Sequence, residues 1–151
     1  MLELIIGSSI IFANIVIQCA AVVLLIRYLI KKETMLLEST SYLIDITVVI
    51  IVLSFLFVGH LIQFSVWAGL FMLLNEFKDF NTALYHSIVN FSSLGYGDIV
   101  LSEDWRLLGA LEACNGILMF GLSTGTLMVV MTRLFKRLTL RPQRKIDPKD
   151  T

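Results

Sequence analysis

SSLGYGD, Ser92 to Asp98, sets two hydroxyls, two glycines flanking a tyrosine, and an acid in succession. It lies in a chain of 151 residues of which 57% are hydrophobic and only 16% charged. A globular domain carries about 25% charged residues, and mean hydropathy here is +0.84. So apolar a chain cannot cover a water-facing surface, and the sequence reads as an integral membrane protein. Non-helical backbone at membrane depth survives only where protein buries it or where it lines a watery cavity, because lipid offers unpaired N–H and C=O groups no partner. The loop therefore needs a structural reason.

Its flanks supply one. On the N-terminal side, FNTALYHSIVNF (Phe80 to Phe91) brings Ala83, Leu84, Ser87, Ile88 and Phe91 to one face at spacings of three and four. That pattern predicts a short helix, capped by Asn81 or Thr82 and too short to span a bilayer. Three longer apolar runs surround it. Leu4 to Ile26 is 23 residues, about 34 Å as a helix. The second runs from Tyr42 through Trp67 toward Leu74, 33 residues or about 50 Å. That exceeds the hydrocarbon thickness, so a tilt, a break near Gly69 or an outward projection must absorb the excess. The third runs from Trp105 to Leu134. A short helix, a glycine-rich extended stretch and then a full span describe a re-entrant loop.

Charge sets the expected topology. Of twelve basic residues, Arg27, Lys31 and Lys32 follow the first run, and Arg133, Lys136, Arg137, Arg141, Arg144, Lys145 and Lys149 follow the third. Only Lys78 and Arg106 lie between the second and third, where Glu76, Asp79, Asp98, Glu103 and Asp104 crowd together. The positive-inside rule puts the N-terminus outside and the C-terminus in the cytoplasm of a multi-pass protein of the cell (plasma or inner) membrane. The chain divides into a first transmembrane helix (1–28), a cytoplasmic linker (29–41), an outer helix (42–74), an extracellular loop with the short helix and glycine motif (75–104), an inner helix (105–134) and a short basic tail (135–151). Basic residues directly after an apolar helix point to anionic lipid and not to nucleic acid. Trp67 and Trp105 are expected near the outer interface. Cys19 and Cys114 are expected to be buried thiols, and the N-terminus lacks the positive region of a cleaved signal.

TALYHSIVNFSSLGYGD, Thr82 to Asp98, resembles the pore helix and selectivity filter of tetrameric potassium channels, whose hallmark is TVGYGD. RLLGALEACNGILMFGLSTGTLMVVM resembles their inner helix, and together with LGYGDIVLSEDW the arrangement looks like small bacterial potassium channel proteins. With the three apolar runs as transmembrane helices, the chain reads as an all-α membrane protein. To this the resemblance adds a re-entrant pore helix and a filter loop, assembled as a homotetramer; the first span is extra relative to the minimal two-span channel. The resemblance implies that potassium is bound at Ser93, Leu94, Gly95 and Tyr96 by backbone carbonyls and the Ser93 hydroxyl, with Gly95 and Gly97 supplying the backbone angles. Asp98, Tyr85 and Val89 are the implied filter supports. Gly116 falls at the family's hinge glycine, and Ile117, Phe120, Thr124 and Met128 are cavity and gate candidates. Three departures stand out: Ser93 replaces threonine, Leu94 replaces valine, and Val89 stands where some members carry a glutamate that braces the aspartate.

Other polar residues have competing readings. Glu112 lies inside a span, where an ionisable group is costly. It is either a hydrogen-bond partner of a neighbouring helix or a proton-sensitive gate or brace paired with His86. His86 is first a satisfied pore-helix histidine and second a proton sensor. His60 is expected toward the outer interface, and no cluster has metal-site spacing. Asn14 and Gln18 give the first span a polar face that packs on protein. Asn115 faces either the cavity or a neighbouring helix. No span carries the arginine repeat of a voltage sensor. No nucleophile or metal constellation points to an enzyme, and no cofactor is implied beyond potassium as permeant ion. The function read from the sequence is passive potassium conduction. A weakly selective cation channel, or a nonconducting scaffold or regulatory subunit, remains open.

Overall fold

The computed structural model describes residues 1–38 and 42–140, with side chains for 1–31 and 42–139. Residues 39–41 and the tail carrying Arg141, Arg144, Lys145 and Lys149, with its expected lipid contacts, lie outside the described residues. Within them the chain is all-helical: α1 (Leu2–Glu38), α2 (Tyr42–Leu73), α3 (Phe80–Phe91) and α4 (Arg106–Leu140). Three of the four, α1, α2 and α4, are long and apolar enough to cross a membrane, and α3 wedges between α2 and α4.

The helices run on where the sequence favours them and stop where the backbone is turned. Residues expected to begin a linker at 29 are helical as far as Glu38. KKETMLLE is mostly strong helix formers with no glycine or proline to interrupt it. α2 continues unbroken through Gly69, beside which there is open space. It ends at Leu73, and just beyond it the left-handed φ of 59° at Asn75 lets that residue's N–H reach Met72 O and the Glu76 N–H reach Phe71 O. This reverse turn satisfies the last carbonyls of the helix. α3 is capped by Asp79, not by Asn81 or Thr82: its carboxylate accepts from the Thr82 N–H at 2.9 Å and hydroxyl at 2.6 Å. An aspartate outcompetes both as a charged acceptor at the positive end of a helix. α4 takes an acceptor from another helix, since Glu3 Oε2 of α1 receives the Leu107 N–H at 3.2 Å.

α1 and α4 lie parallel in register. Glu3 meets Leu107 and Gln18 meets Ser123, separations of 104 and 105 positions along the chain. α1 also packs along α2. Two apolar cores hold the bundle. Phe64, Trp67, Phe71, Phe91, Leu101, Leu108 and Met119 form one at the end bearing the loops. Leu25, Val48, Val52, Leu56 and Val130 form the other. On each long helix polar side chains meet between these cores: Gln18 on α1, His60 and Gln63 on α2, Ser123 on α4. Gln63 donates to Gln18 at 2.7 Å, Gln18 donates to Ser123 at 2.8 Å, and the Ser123 hydroxyl meets His60 Nε2 at 3.0 Å. At the far end Arg137 pairs with Asp45 at 3.2 Å.

Several placements differ from expectation. His60 is buried in this layer between Phe64 and Phe120, not interfacial. Trp67 is wholly enclosed by the loop-end core. Cys19 and Cys114 are exposed on the chain's outer faces, not buried. Cysteine is apolar enough to face lipid or another chain as readily as a core.

Candidate functional site

The site grows from the C-terminal end of α3. Phe91 is fully buried in the loop-end core and stacks edge-on against Phe64 and Phe120. Its carbonyl presses against Gly116, where a Cβ would stand only 1.7 Å from the oxygen. A glycine on α4 thus lets the backbone at the end of α3 meet that helix directly. α4 is continuous through this point, so Gly116 acts here as a packing glycine.

Beyond Phe91 the chain leaves the helix in an ordered way. The Ser93 N–H bonds Asn90 O at 2.8 Å, and Val89 O accepts from the Leu94 and Gly95 N–H groups at 3.0 and 3.4 Å and from the Ser92 hydroxyl at 3.1 Å. Val89 therefore supports the loop through its carbonyl. Ser93, Gly95 and Gly97 all have left-handed φ, at 58°, 59° and 75°. Left-handed residues at every second position are what the two glycines allow freely, and Ser93, unbranched at Cβ, is the non-glycine among them. Residues 92 to 98 are exposed along their length.

Behind the loop, Tyr85 donates its hydroxyl to Asp98 Oδ2 at 2.7 Å. That bond, first among its causes, raises the phenol pKa above its usual value. It joins α3 to the end of the glycine loop. Glu76 holds the next segment, taking the Ser102 N–H and hydroxyl at 2.7 Å each. His86 is buried between Phe71 and Phe77, and its Nδ1 lies 3.1 Å from Ile99 O. Burial holds its pKa below the usual histidine value, partly opposed by that bond and by the charges of Asp98 and Glu76.

Glu112 and His86 do not pair directly. The carboxyl of Glu112, fully buried, meets Ser87 Oγ at 2.5 Å and the Asn90 side-chain nitrogen at 3.3 Å. The same Asn90 nitrogen lies 3.4 Å from His86 Nε2, so one amide stands between the two titratable groups. Ser87 and Asn90 are site residues that sequence reading missed. Hydroxyl and amide side chains one turn apart on a short helix facing a buried acid were the available signal. On α4, Ile117, Phe120, Thr124 and Met128 are exposed, Ile117 and Met128 by about two thirds, and Thr124 caps its own turn through Phe120 O. Asn115 is buried, with neither polar atom bonded among the described residues. No group of three or more His, Cys, Asp or Glu side chains among the described residues has metal-site geometry.

Two membrane-length helices enclosing a short helix and a left-handed glycine loop define the pore architecture of ion channels. The family model described as ion channel matches residues 46–133, more than half of the chain, and the protein belongs to that family. Nothing matches among curated proteins or solved structures. α1 lies ahead of the matched residues.

Proposed function

We propose that this multi-pass membrane protein conducts potassium passively through a four-fold pore, with no chemical turnover. The observation that carries the reading is the left-handed backbone at Ser93, Gly95 and Gly97, set at the C-terminal end of α3 in a GYGD sequence. Alternate left-handed residues turn successive carbonyls to one side, and the negative end of the α3 dipole favours a cation there. One chain supplies only part of a coordination shell, so carbonyl rings that replace a hydrated ion's water need several copies around an axis. The carbonyls of Ser93, Leu94, Gly95 and Tyr96 and the Ser93 hydroxyl are the proposed ligands. Gly97 turns the exit, and Tyr85, Asp98 and the Val89 carbonyl hold the strand. The exposed faces of Ile117, Phe120, Thr124 and Met128 line the proposed cavity, below the Gly116 contact.

The basic-residue asymmetry supports a cell-membrane orientation with the loops outside and both α2 start and α4 end inside. Potassium and sodium uptake into liposomes carrying the protein tests the reading, with barium as blocker. Barium-sensitive potassium uptake with little sodium uptake is expected, and Gly95→Ala should abolish it while leaving assembly intact. Equal uptake of both ions would establish a weakly selective cation channel. Normal flux in Gly95→Ala would sink the carbonyl-filter reading. A tetramer without flux at any pH would favour a scaffold.

A further inference from the structure

Each hydroxyl, amide and ring nitrogen around Glu112 has a fixed number of protons, and counting them assigns the charge of the site. Ser87 Oγ lies 3.0 Å from Phe64 O and 2.5 Å from Glu112 Oε1. A hydroxyl has one proton, and a backbone carbonyl can only accept. If Ser87 donates to Phe64 O, the proton in the Ser87–Glu112 contact must come from Glu112. Were Glu112 ionised, it would claim the Ser87 proton, and the Phe64 contact would place two oxygens together with no proton between them.

The rest of the constellation agrees. Asn90 donates one amide proton to Glu112 Oε2, which then acts as the carbonyl oxygen of an acid, and its second to His86 Nε2. His86 Nε2 is therefore an acceptor, and its Nδ1 proton goes to Ile99 O. A single proton arrangement satisfies every contact: Nδ1–H of His86 to Ile99, Asn90 to both His86 and Glu112, Glu112 to Ser87, Ser87 to Phe64. Every group in it is neutral, which suits a place where an unpaired charge is costly. Among the described residues, the titratable groups on the elements packed against α4 offer Glu112 no counter-charge. His86 on α3 is spent on Ile99 and Asn90, His60 on α2 on Gln63 and Ser123, Asp45 on α2 on Arg137, and Glu3 on α1 on the Leu107 N–H.

We infer that Glu112 is a positioning residue that works as a neutral acid: its proton, passed through Ser87, clamps α3 between α4 and the Phe64 carbonyl of α2. The clamp fixes the helix that aims the loop, and it joins all three elements around the pore at one point. The inference rests on the reading of α3 and residues 92–98 as pore helix and filter, but its test needs no ion flux.

The full chain, reconstituted in liposomes, is compared with Glu112→Gln by infrared difference spectroscopy and by thermal unfolding across pH. Glutamine keeps a donor and an acceptor in nearly the same shape without an ionisable proton. A protonated-carboxyl carbonyl band at neutral pH, lost in Glu112→Gln, is expected. Alkaline pH should remove that band and lower the unfolding midpoint of the native chain, leaving the midpoint of Glu112→Gln nearly flat. A difference confined to carboxylate bands at neutral pH would overturn the inference, because Glu112 would then be ionised. Equal alkaline loss in both proteins would overturn the clamp. So would a Glu112→Gln chain that fails to fold, since the glutamine resembles the acid and not its anion. Ser87→Ala supplies a second check: the carboxyl band should stay but shift in frequency, because the acid loses the hydroxyl that takes its proton. An unshifted band in Ser87→Ala would overturn the route through Ser87.

Discussion

The Phe91 carbonyl oxygen occupies space that any side chain at residue 116 would need: a Cβ built on Gly116 would lie 1.7 Å from it and 2.9 Å from Phe91 Cδ1. The obstacle is backbone, which cannot swing aside as a side-chain tip would. Gly116→Ala should therefore displace the end of α3 from α4. The cost should reach or exceed the upper end of the ~1–3 kcal/mol typical of overpacked sites. Unfolding in micelles, read against Gly121→Ala, checks it, because Gly121 faces open space and its alanine variant should be nearly neutral.

Tyr85→Phe removes the hydroxyl that Asp98 accepts and leaves the rest of α3 untouched. The fold and assembly should persist, while potassium uptake should fall or decay faster with time as the loop exit loosens. Unchanged uptake and time course would mean that this bond does not hold the conducting conformation.

The polar layer between the two cores gives opposite expectations for neighbouring residues of α1. Gln18→Leu removes the acceptor of the Gln63 amide and the donor to Ser123, leaving His60 as the partner of both. It should destabilise the bundle by about 0.6–2 kcal/mol, the span for inter-helix bonds in membranes. Asn14 is equally buried, but neither of its polar atoms has a partner among the described residues. Asn14→Leu should therefore be neutral or stabilising, since it removes groups whose desolvation is uncompensated. Steric-trap or denaturant unfolding of both variants tests the pair.

Acid should weaken the fold through His86. Its pKa is lowered by burial, so the folded state binds that proton less readily than the unfolded chain. The stability this residue contributes is full above the unfolded value near 6.5 and is lost as pH falls through the lower folded value. The unfolding midpoint should drop on acidification, and His86→Gln, which has donor and acceptor but no proton to gain, should reduce the drop.

What could be read from the sequence was whatever depends on local composition and spacing. Membrane length followed from hydropathy, the short helix from Ala83, Leu84, Ser87, Ile88 and Phe91, and the turned loop from Gly95 and Gly97. What could not be read depends on partners far away in the chain. Gln18 finds Gln63 and Ser123, and Ser87 finds Glu112, only once four helices are packed. Asp79 takes the cap two residues ahead of Asn81 and three ahead of Thr82, a boundary that propensity does not settle. Ser93 adopts a left-handed φ that residue type alone would not have assigned to it. His60 looked interfacial by depth alone, because its neighbours Ser123 and Phe120 belong to a helix 60 residues away.

The separation of Gln18 from Ser123 by 105 positions has a consequence for biosynthesis. A chain made from its N-terminus delivers α1 to the membrane long before α4 is translated. Until then the Gln18 amide has no Ser123 and must remain hydrated, bonded to its own backbone or sheltered by the insertion machinery. Gln63 of α2 reaches Gln18 first, so the two helices can pair before α4 adds Ser123 and completes the layer.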